Sequence, residues 1–159
     1  MTVVSEFATV GVGDEAPDFA LNDQNNERFS LSSLRGRKAV LLVFYPLAFT
    51  GTCTGELSAL RDDLDTYQND EVQVAAISVD SVYANKVFAT REGYEFPLLS
   101  DFWPHGEVAQ RYGVFNSESG IANRGTFLVD RTGTVRFAEM LPPGQVRDPQ
   151  VWRDAIKAR

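Results

Sequence analysis

Two mainly apolar stretches of strand length and two stretches with helical periodicity predict the centre of the fold. Residues 40–45 are a continuous apolar run, which is typical of a strand covered on both faces, and residues 72–79 form a second buried-strand pattern. Between them, apolar residues recur at the spacing of an amphipathic helix. These residues are Leu57, Leu60, Leu64 and Tyr67. A second helix is expected to begin after Asp80 or Ser81, either of which can cap it, and to end at Gly93.

Two hairpins are predicted, one before and one after this central part. Phe19 and Leu21 alternate with polar neighbours, and turn-forming residues separate them from a second short run at 28–31. Near the other end of the chain, residues 126–129 and 134–140 flank an Asp-Arg-Thr-Gly turn. We therefore expect antiparallel pairing in both places.

The order of these elements predicts the fold class. A short helix is expected at 107–112 and a closing helix after Asp148. Strands that alternate with helices form parallel pairs, and the late hairpin adds antiparallel strands. The prediction is an α/β thioredoxin-like sandwich with a central mixed sheet flanked by helices and an N-terminal β-hairpin. Residues 1–12 are expected to form a loosely ordered extension, and residues 13–159 the packed domain.

Composition and charge limit the classes of function that are possible for this chain. A chain of 159 residues with 43% hydrophobic and 23% charged residues can build one sizeable core. The formal net charge of -7 argues against binding to nucleic acid or anionic lipid. One cysteine and one histidine exclude an intramolecular disulfide, a zinc site built from several thiolates and any site with two imidazoles.

The predicted location is the cytoplasm. The first twelve residues contain no Lys or Arg, so they lack the charged region of a secretory signal. The longest strongly apolar stretch is residues 39–45, whereas about 20 residues are needed to span a bilayer as a helix. In a reducing compartment a lone thiol stays reduced unless its chemistry uses oxidation.

Cys53 occupies a position that suits a reactive thiol. The loop before it joins the end of the first buried strand to the start of a helix, and chemistry in open α/β sheets gathers beyond the carboxyl ends of the strands. The N–H groups and dipole of a helix start favour an anion and therefore the nucleophilic thiolate. An isolated cysteine is also commonly a small buried apolar residue, so both interpretations stay open at this point.

The residues around Cys53 resemble the sequence pattern of a known protein family. Pro46, Thr50 and Cys53 stand in the P-x-x-x-T-x-x-C pattern of the peroxiredoxins, thiol peroxidases with a thioredoxin-like fold. Further stretches look like landmarks of that family. They are residues 16–19, 40–44, 96–101 and 125–130. Residues 46–51, 100–106 and 123–127 resemble in particular the alkyl hydroperoxide reductase E type of actinobacteria.

The resemblance implies a role for each of four residues. Cys53 would attack a hydroperoxide and become a sulfenic acid. Thr50 would offer its hydroxyl to the peroxide, and Pro46 would limit access of water to the sulfur. Arg124 matches the arginine of the family that stabilises the thiolate and binds the peroxide oxygens. This chemistry at sulfur needs no metal, flavin or haem cofactor.

Three polar residues keep alternative interpretations. Arg124 could be an exposed arginine beside a turn. Glu56 could cap the first turn of its helix or hold Arg124 by an ion pair. His105 could act as the general base for Cys53 in a cysteine hydrolase. Its loop-like surroundings instead favour a structural role or a position at the rim of the site.

A single cysteine has a consequence for turnover. Without a resolving thiol in the chain, an external thiol must form a mixed disulfide with Cys53, and another thiol must release it. The resemblance implies mycothiol with a glutaredoxin-like protein, with thioredoxin as the rival reductant, and a homodimer. The predicted substrates are hydrogen peroxide, organic hydroperoxides or peroxynitrite. The alternatives are a redox sensor or relay with little turnover, and a binding module with an inert thiol.

Overall fold

A computed structural model describes residues 10–159. The predicted N-terminal extension therefore lies mostly outside the described residues. Val10 is buried and belongs to one of the two apolar clusters, and the N–H of Gly13 donates to the carbonyl of Val135. The boundary between residues 12 and 13 stays a prediction.

The described part contains nine strands and five α-helices. The strands are β1 (Ala20–Asn22), β2 (Arg28–Ser30), β3 (Ala39–Phe44), β4 (Val72–Ser78), β5 (Leu98–Ser100), β6 (Phe115–Asn116), β7 (Ile121–Ala122), β8 (Arg124–Val129) and β9 (Val135–Leu141). The helices are α1 (Gly51–Asp62), α2 (Leu64–Tyr67), α3 (Val82–Glu92), α4 (Glu107–Arg111) and α5 (Pro149–Ala158).

The central sheet is mixed, as the order of elements predicts. Its five strands lie in the order β5-β4-β3-β8-β9, with β3–β4 and β4–β5 parallel and β3–β8 and β8–β9 antiparallel. β1 and β2 form the predicted separate antiparallel hairpin. The predicted thioredoxin-like fold class is confirmed. The parallel strands β3, β4 and β5 end at the same edge of the sheet, and their following loops meet there.

The two faces of β3 carry the two halves of the core. All six of its residues are buried, as its unbroken apolar run predicts. Leu41 and Val43 face the cluster that includes Leu57 of α1 and Trp152 of α5. Successive side chains of a strand point to opposite faces, so the residues between them face the cluster formed with α4 and the N-terminal hairpin. Helices therefore cover both faces of the sheet.

Several local predictions need correction. The first helix begins at Gly51, earlier than the apolar periodicity indicates, and ends at Asp62 because the backbone of Asp63 leaves the helical region. A separate short helix, α2, carries the remaining apolar residues. The strand β5 and the pair β6–β7 were not predicted, because the residues of β5 do not alternate between apolar and polar and the two residues of β6 or β7 are too few to show a period.

Helix caps agree well with the sequence. Ser81, rather than Asp80, caps α3 by accepting from the N–H of Ala84, and Gly93 ends it in the left-handed conformation. Asp148 caps α5 by accepting from the N–H of Gln150. Within residues 10–159, no helix has the length and apolarity needed to cross a bilayer.

The close approach of β8 to its neighbours gives a stability prediction. A Cβ atom at Gly125 would lie 2.6 Å from Cγ1 of Val114 and 3.2 Å from the ring of Phe127. Gly125→Ala should therefore lower the free energy of unfolding by about 1–3 kcal/mol through overpacking. Urea denaturation checks this, with Gly144→Ala as the control, because no described atom lies within 4 Å of its new methyl group. Equal stabilities for the two variants would contradict the packing argument.

Candidate active site

Cys53 lies in the first turn of α1, at the carboxyl edge of the central sheet. It is the third residue of that helix, Thr50 is the residue before the helix, and the thiol is free and 0% exposed. At this position, backbone N–H groups without helical partners and the positive end of the helix dipole favour a negative charge on sulfur. The location agrees with the expectation for a reactive thiol.

Arg124 approaches the sulfur from the neighbouring strand. Its Nη1 lies 3.4 Å from Sγ of Cys53, and the residue is 2% exposed. The sheet register explains this meeting of residues 71 positions apart. β8 runs antiparallel to β3 and pairs Thr126 with Val43, so the first residue of β8 lies beside the point where β3 ends. The alternative of an exposed arginine beside a turn is wrong.

Glu56 holds the guanidinium of Arg124 from one turn further along α1. Nη1 of Arg124 donates to Oε1 of Glu56 at 2.5 Å, and both side chains are almost fully buried. Nε of Arg124 donates to the carbonyl of Pro143 at 2.7 Å, which fixes the other side of the guanidinium. Of the two interpretations of Glu56, the ion pair is the one that the structure contains.

A second arginine completes the site, and sequence reasoning missed it. Arg147 is buried and donates to Glu56 from its backbone N–H, from Nε and from Nη2, at 2.8, 3.0 and 2.8 Å. Its Nη1 donates to the carbonyl of Gly125 and to Oγ1 of Thr126, and its Cζ lies 5.6 Å from the ring centre of Trp152. Arg147 follows a Pro- and Gly-containing segment that gives no periodic signal, so nothing local marks it as buried.

The charge state of this cluster follows from these contacts. Burial by itself raises the pKa of the Glu56 carboxyl, but the hydrogen bonds and charge of Arg147, together with the charge of Arg124, outweigh burial and lower that pKa below its ordinary value. Glu56 is therefore a carboxylate at neutral pH. Two arginines and one carboxylate leave a net positive charge beside Cys53.

The loop before α1 contains the other two predicted site residues. Pro46 is buried two residues after the end of β3, and Thr50 is exposed. The hydroxyl of Thr50 donates to the carbonyl of Leu47 at 2.9 Å. Neither residue makes a hydrogen bond to Cys53 or Arg124 among the described residues, so their proposed roles stay predictions.

His105 lies in a separate environment. Its Nε2 is 2.6 Å from the carbonyl oxygen of Gly120, and its ring packs edge-on against Phe115 at 5.9 Å between ring centres. None of the hydrogen bonds within residues 10–159 links it to Cys53. The arrangement needed for a cysteine hydrolase is therefore not formed, and His105 has a structural place.

This arrangement suits chemistry at a single sulfur. A thiol at a helix start, next to a guanidinium that is held by Glu56 and by the carbonyl of Pro143, can form a thiolate. The same guanidinium can stabilise negative charge on a second group placed against it. The described residues contain no group of three or more His, Cys, Asp or Glu side chains that could hold a metal ion.

Comparison with known proteins identifies the family. Residues 12–138 match the AhpC/TSA family. The chain is a peroxiredoxin of this family. The chain is 58% identical over 149 residues to alkyl hydroperoxide reductase E of Mycobacterium tuberculosis. The matched region covers 94% of this peroxiredoxin and 97% of that relative. It is also 38% identical over 142 residues to a selenocysteine-containing peroxiredoxin of Peptoclostridium acidaminophilum. That match covers 83% of this chain and 68% of the relative.

Solved structures agree with this assignment. The peroxidoxin BcpB from Mycobacterium tuberculosis superposes with a TM-score of 0.82 at 29% identity, over 94% of this chain and 97% of that chain. The reduced 2-Cys peroxiredoxin of Plasmodium vivax gives a TM-score of 0.82 at 30% identity, over 92% of this chain and 80% of that chain. The peroxiredoxin described here is thus a thiol-dependent peroxidase with a thioredoxin-like fold. Its homologues act on hydroperoxides with thiol reductants and are commonly dimeric.

The buried charge cluster gives a prediction for stability and its pH dependence. Glu56→Gln should lower the free energy of unfolding at pH 7 by about 3–5 kcal/mol, because it leaves two buried guanidinium groups without a counter-charge. The pKa of Glu56 is lower in the folded than in the unfolded state. The stabilisation is therefore complete at neutral pH and is lost as the pH falls through the lowered folded value.

Denaturant unfolding at pH 7 and at decreasing pH tests this prediction. The difference between the wild type and Glu56→Gln should shrink in acid as Glu56 becomes protonated. Glu71→Gln is the matched control, since Glu71 is 63% exposed and pairs with Arg159 at the surface, where the change should cost less than about 1 kcal/mol. A cost at Glu56 no larger than at Glu71 would contradict the proposed charge cluster.

Proposed function

We propose that this enzyme reduces hydroperoxides by a one-cysteine mechanism in which Cys53 is the nucleophile and Arg124 binds both the thiolate and the peroxide. The observation that carries the proposal is the 3.4 Å contact between Nη1 of Arg124 and Sγ of Cys53 at the start of α1. A guanidinium and a helix N-terminus together favour the anion before the substrate arrives. The same donors then face the negative charge that develops as the O–O bond breaks.

The first step consumes the peroxide. The Cys53 thiolate attacks one peroxide oxygen, a S–O bond forms and the O–O bond breaks. The sulfur is oxidised by two electrons to a sulfenic acid, and the other oxygen leaves as an alkoxide or hydroxide that takes up a proton. Thr50 would turn its hydroxyl from Leu47 to the peroxide, and Pro46 would limit access of water to the sulfur.

The second half of the cycle restores the thiol. An external thiol attacks the sulfenic acid to form a mixed disulfide with loss of water, and a second thiol then releases Cys53 by exchange. The single cysteine of the chain supports this route, because it offers no resolving partner. We propose mycothiol with a glutaredoxin-like protein as the reductant, in keeping with the similarity to a mycobacterial protein, with thioredoxin as the alternative.

The same similarity supports the proposed substrate class, and the redox chemistry supports the proposed location. The relative from Mycobacterium tuberculosis is named an alkyl hydroperoxide reductase, which supports organic hydroperoxides as substrates beside hydrogen peroxide and peroxynitrite. The sulfenic acid and its thiol reductants belong to a reducing compartment, and we place the enzyme in the cytoplasm.

An exposed apolar surface near the active-site loop supports a homodimer. Nine large apolar side chains of the described residues are exposed, and six of them lie in the active-site loop, in the first half of α3 and in the loop after β5. The six are Leu47, Phe49, Tyr83, Val87, Phe102 and Trp103, with Tyr83 84% and Trp103 81% exposed. Exposed apolar surface of this kind marks interaction sites. We propose that a second copy of this chain covers it.

Rapid mixing of the reduced enzyme with hydrogen peroxide tests the proposed reaction. One thiol per chain should be lost quickly, as followed by residual thiol and by tryptophan fluorescence. Cys53→Ser should abolish this loss. Arg124→Ala should slow it by about 100- to 1,000-fold, the usual effect of removing one donor to a developing oxyanion.

Two controls make the result specific. His105→Ala should react like the wild type, since its ring contacts Gly120 and Phe115 rather than the site. With a thiol reducing system, peroxide consumption should continue for many equivalents. Arrest after about one equivalent would favour the sensor or relay function, and no loss of thiol over minutes would overturn the proposal.

The proposed dimer has its own test. Replacing both Tyr83 and Trp103 by Glu should convert a dimer into a monomer, because two charges would be buried at the interface without partners. Sedimentation velocity measures the change. Val12→Glu, at a residue that is 66% exposed outside this surface, is the control and should leave the dimer intact. A wild-type protein that sediments as a monomer would contradict the proposed dimer.

A further inference from the structure

We propose that Asp80 is a positioning residue of this peroxidase: its carboxylate holds residues 46–50 in the conformation that places Thr50 and Cys53 for attack on the peroxide. The inference rests on the proposed function and adds a residue outside the P-x-x-x-T-x-x-C pattern. Asp80 follows β4, and the active-site loop follows β3. The two strands are parallel neighbours, so their ends bring these segments together.

A single side chain ties the loop to the rest of the sheet. Oδ2 of Asp80 accepts a hydrogen bond from the backbone N–H of Ala48 at 2.8 Å and another from the hydroxyl of Ser78 at 2.7 Å. The carbonyl of Asp80 accepts from the hydroxyl of Ser100, which ties this corner to β5. Among the described hydrogen bonds, the one to Ala48 is the only bond that joins residues 46–50 to an element other than their own loop and helix.

The loop needs such a tie because its backbone is strained. Phe49 has φ +68°, in the left-handed region that residues with a large side chain rarely adopt. Such a conformation persists only where surrounding contacts impose it. Two contacts with other elements hold this part of the loop. One is the bond from Ala48 to Asp80, and the other is the packing of the Phe49 ring on Phe88, with 5.1 Å between ring centres.

The same tie affects the two halves of the cycle in opposite ways. A peroxide is small, and its reaction needs Thr50, Cys53 and Arg124 in fixed positions. This reaction should therefore be faster when the loop is held in place. The reducing thiol is larger and must reach a sulfur that is 0% exposed in this structure. Weakening the tie should therefore slow oxidation by the peroxide and increase access of bulky reagents to the sulfur.

A purely electrostatic role for Asp80 would have a different signature. Removing a negative charge near the site would favour the Cys53 thiolate and move the pH profile of the peroxide reaction to lower pH. It would also speed the reaction with large and small alkylating reagents by the same factor. A change of position slows the peroxide reaction without moving its pH profile, and it changes the ratio between large and small reagents.

Asp80→Ala and Asp80→Asn form the test series. We expect the rate constant for thiol loss with hydrogen peroxide to fall by about ten- to a hundredfold in Asp80→Ala, with an unchanged pH profile. Asp80→Asn retains an acceptor oxygen for Ala48 without the charge, so its rate should lie between those of Asp80→Ala and the wild type. Asp65→Ala, at an exposed aspartate of α2, is the matched control and should react like the wild type.

Alkylation of the reduced enzyme supplies the second measurement. The ratio of the rate with a maleimide that carries a long polyether to the rate with iodoacetamide should rise at least about tenfold in Asp80→Ala. Equal peroxide rates in the Asp80 variants and the wild type would overturn the inference, and so would a shifted pH profile with an unchanged ratio. Should Asp80→Ala fail to fold, Asp80→Asn decides by the same two readouts. A wild-type enzyme that keeps its thiol in peroxide would instead contradict the proposed function itself.

Discussion

One carboxylate shared by two buried guanidinium groups is the interaction on which this active site depends. Glu56 accepts from Arg124 and Arg147, and all three side chains are almost completely removed from solvent. Desolvating three charges is costly, and this cost is offset by their mutual attraction and hydrogen bonds, together with the bonds to Pro143, Gly125 and Thr126. The cluster has one net positive charge and lies beside Cys53. The ion pairs that hold the two arginines therefore also place a cation next to the sulfur.

The same cluster joins three separate parts of the chain. Cys53 and Glu56 lie on α1, Arg124 opens β8, and Arg147 lies between β9 and α5. Nε of Arg124 also binds the carbonyl of Pro143, in the segment that leads to Arg147. The C-terminal segment is thus part of the active site, because it supplies the second arginine and fixes the first. A site of this kind is formed only when the whole domain is folded.

Fixed electrostatics on one side of Cys53 contrast with a strained loop on the other. On the arginine side, buried ion pairs define the position of each donor to within a narrow range. On the side of Thr50, the backbone of Phe49 is held in an unfavourable conformation by contacts with α3 and with the end of β4. This asymmetry suits the proposed cycle, in which the sulfur first meets a small peroxide in a fixed geometry and later a larger thiol.

Local sequence patterns determined most of the longer elements, the fold class and the place of Cys53, because apolar period, turn residues and the family pattern are all short-range signals. Residues 40–45 predicted the buried strand β3, and the loop after it placed Cys53 at a helix start. The Asp-Arg-Thr-Gly turn predicted the antiparallel pair that contains Arg124. Only the tertiary structure decided that Glu56 pairs with Arg124 instead of capping its helix, that Arg147 joins them, and that Asp80 binds the loop. These contacts join residues 32 to 91 positions apart. They arise from the order and register of strands in the sheet, which no local pattern records.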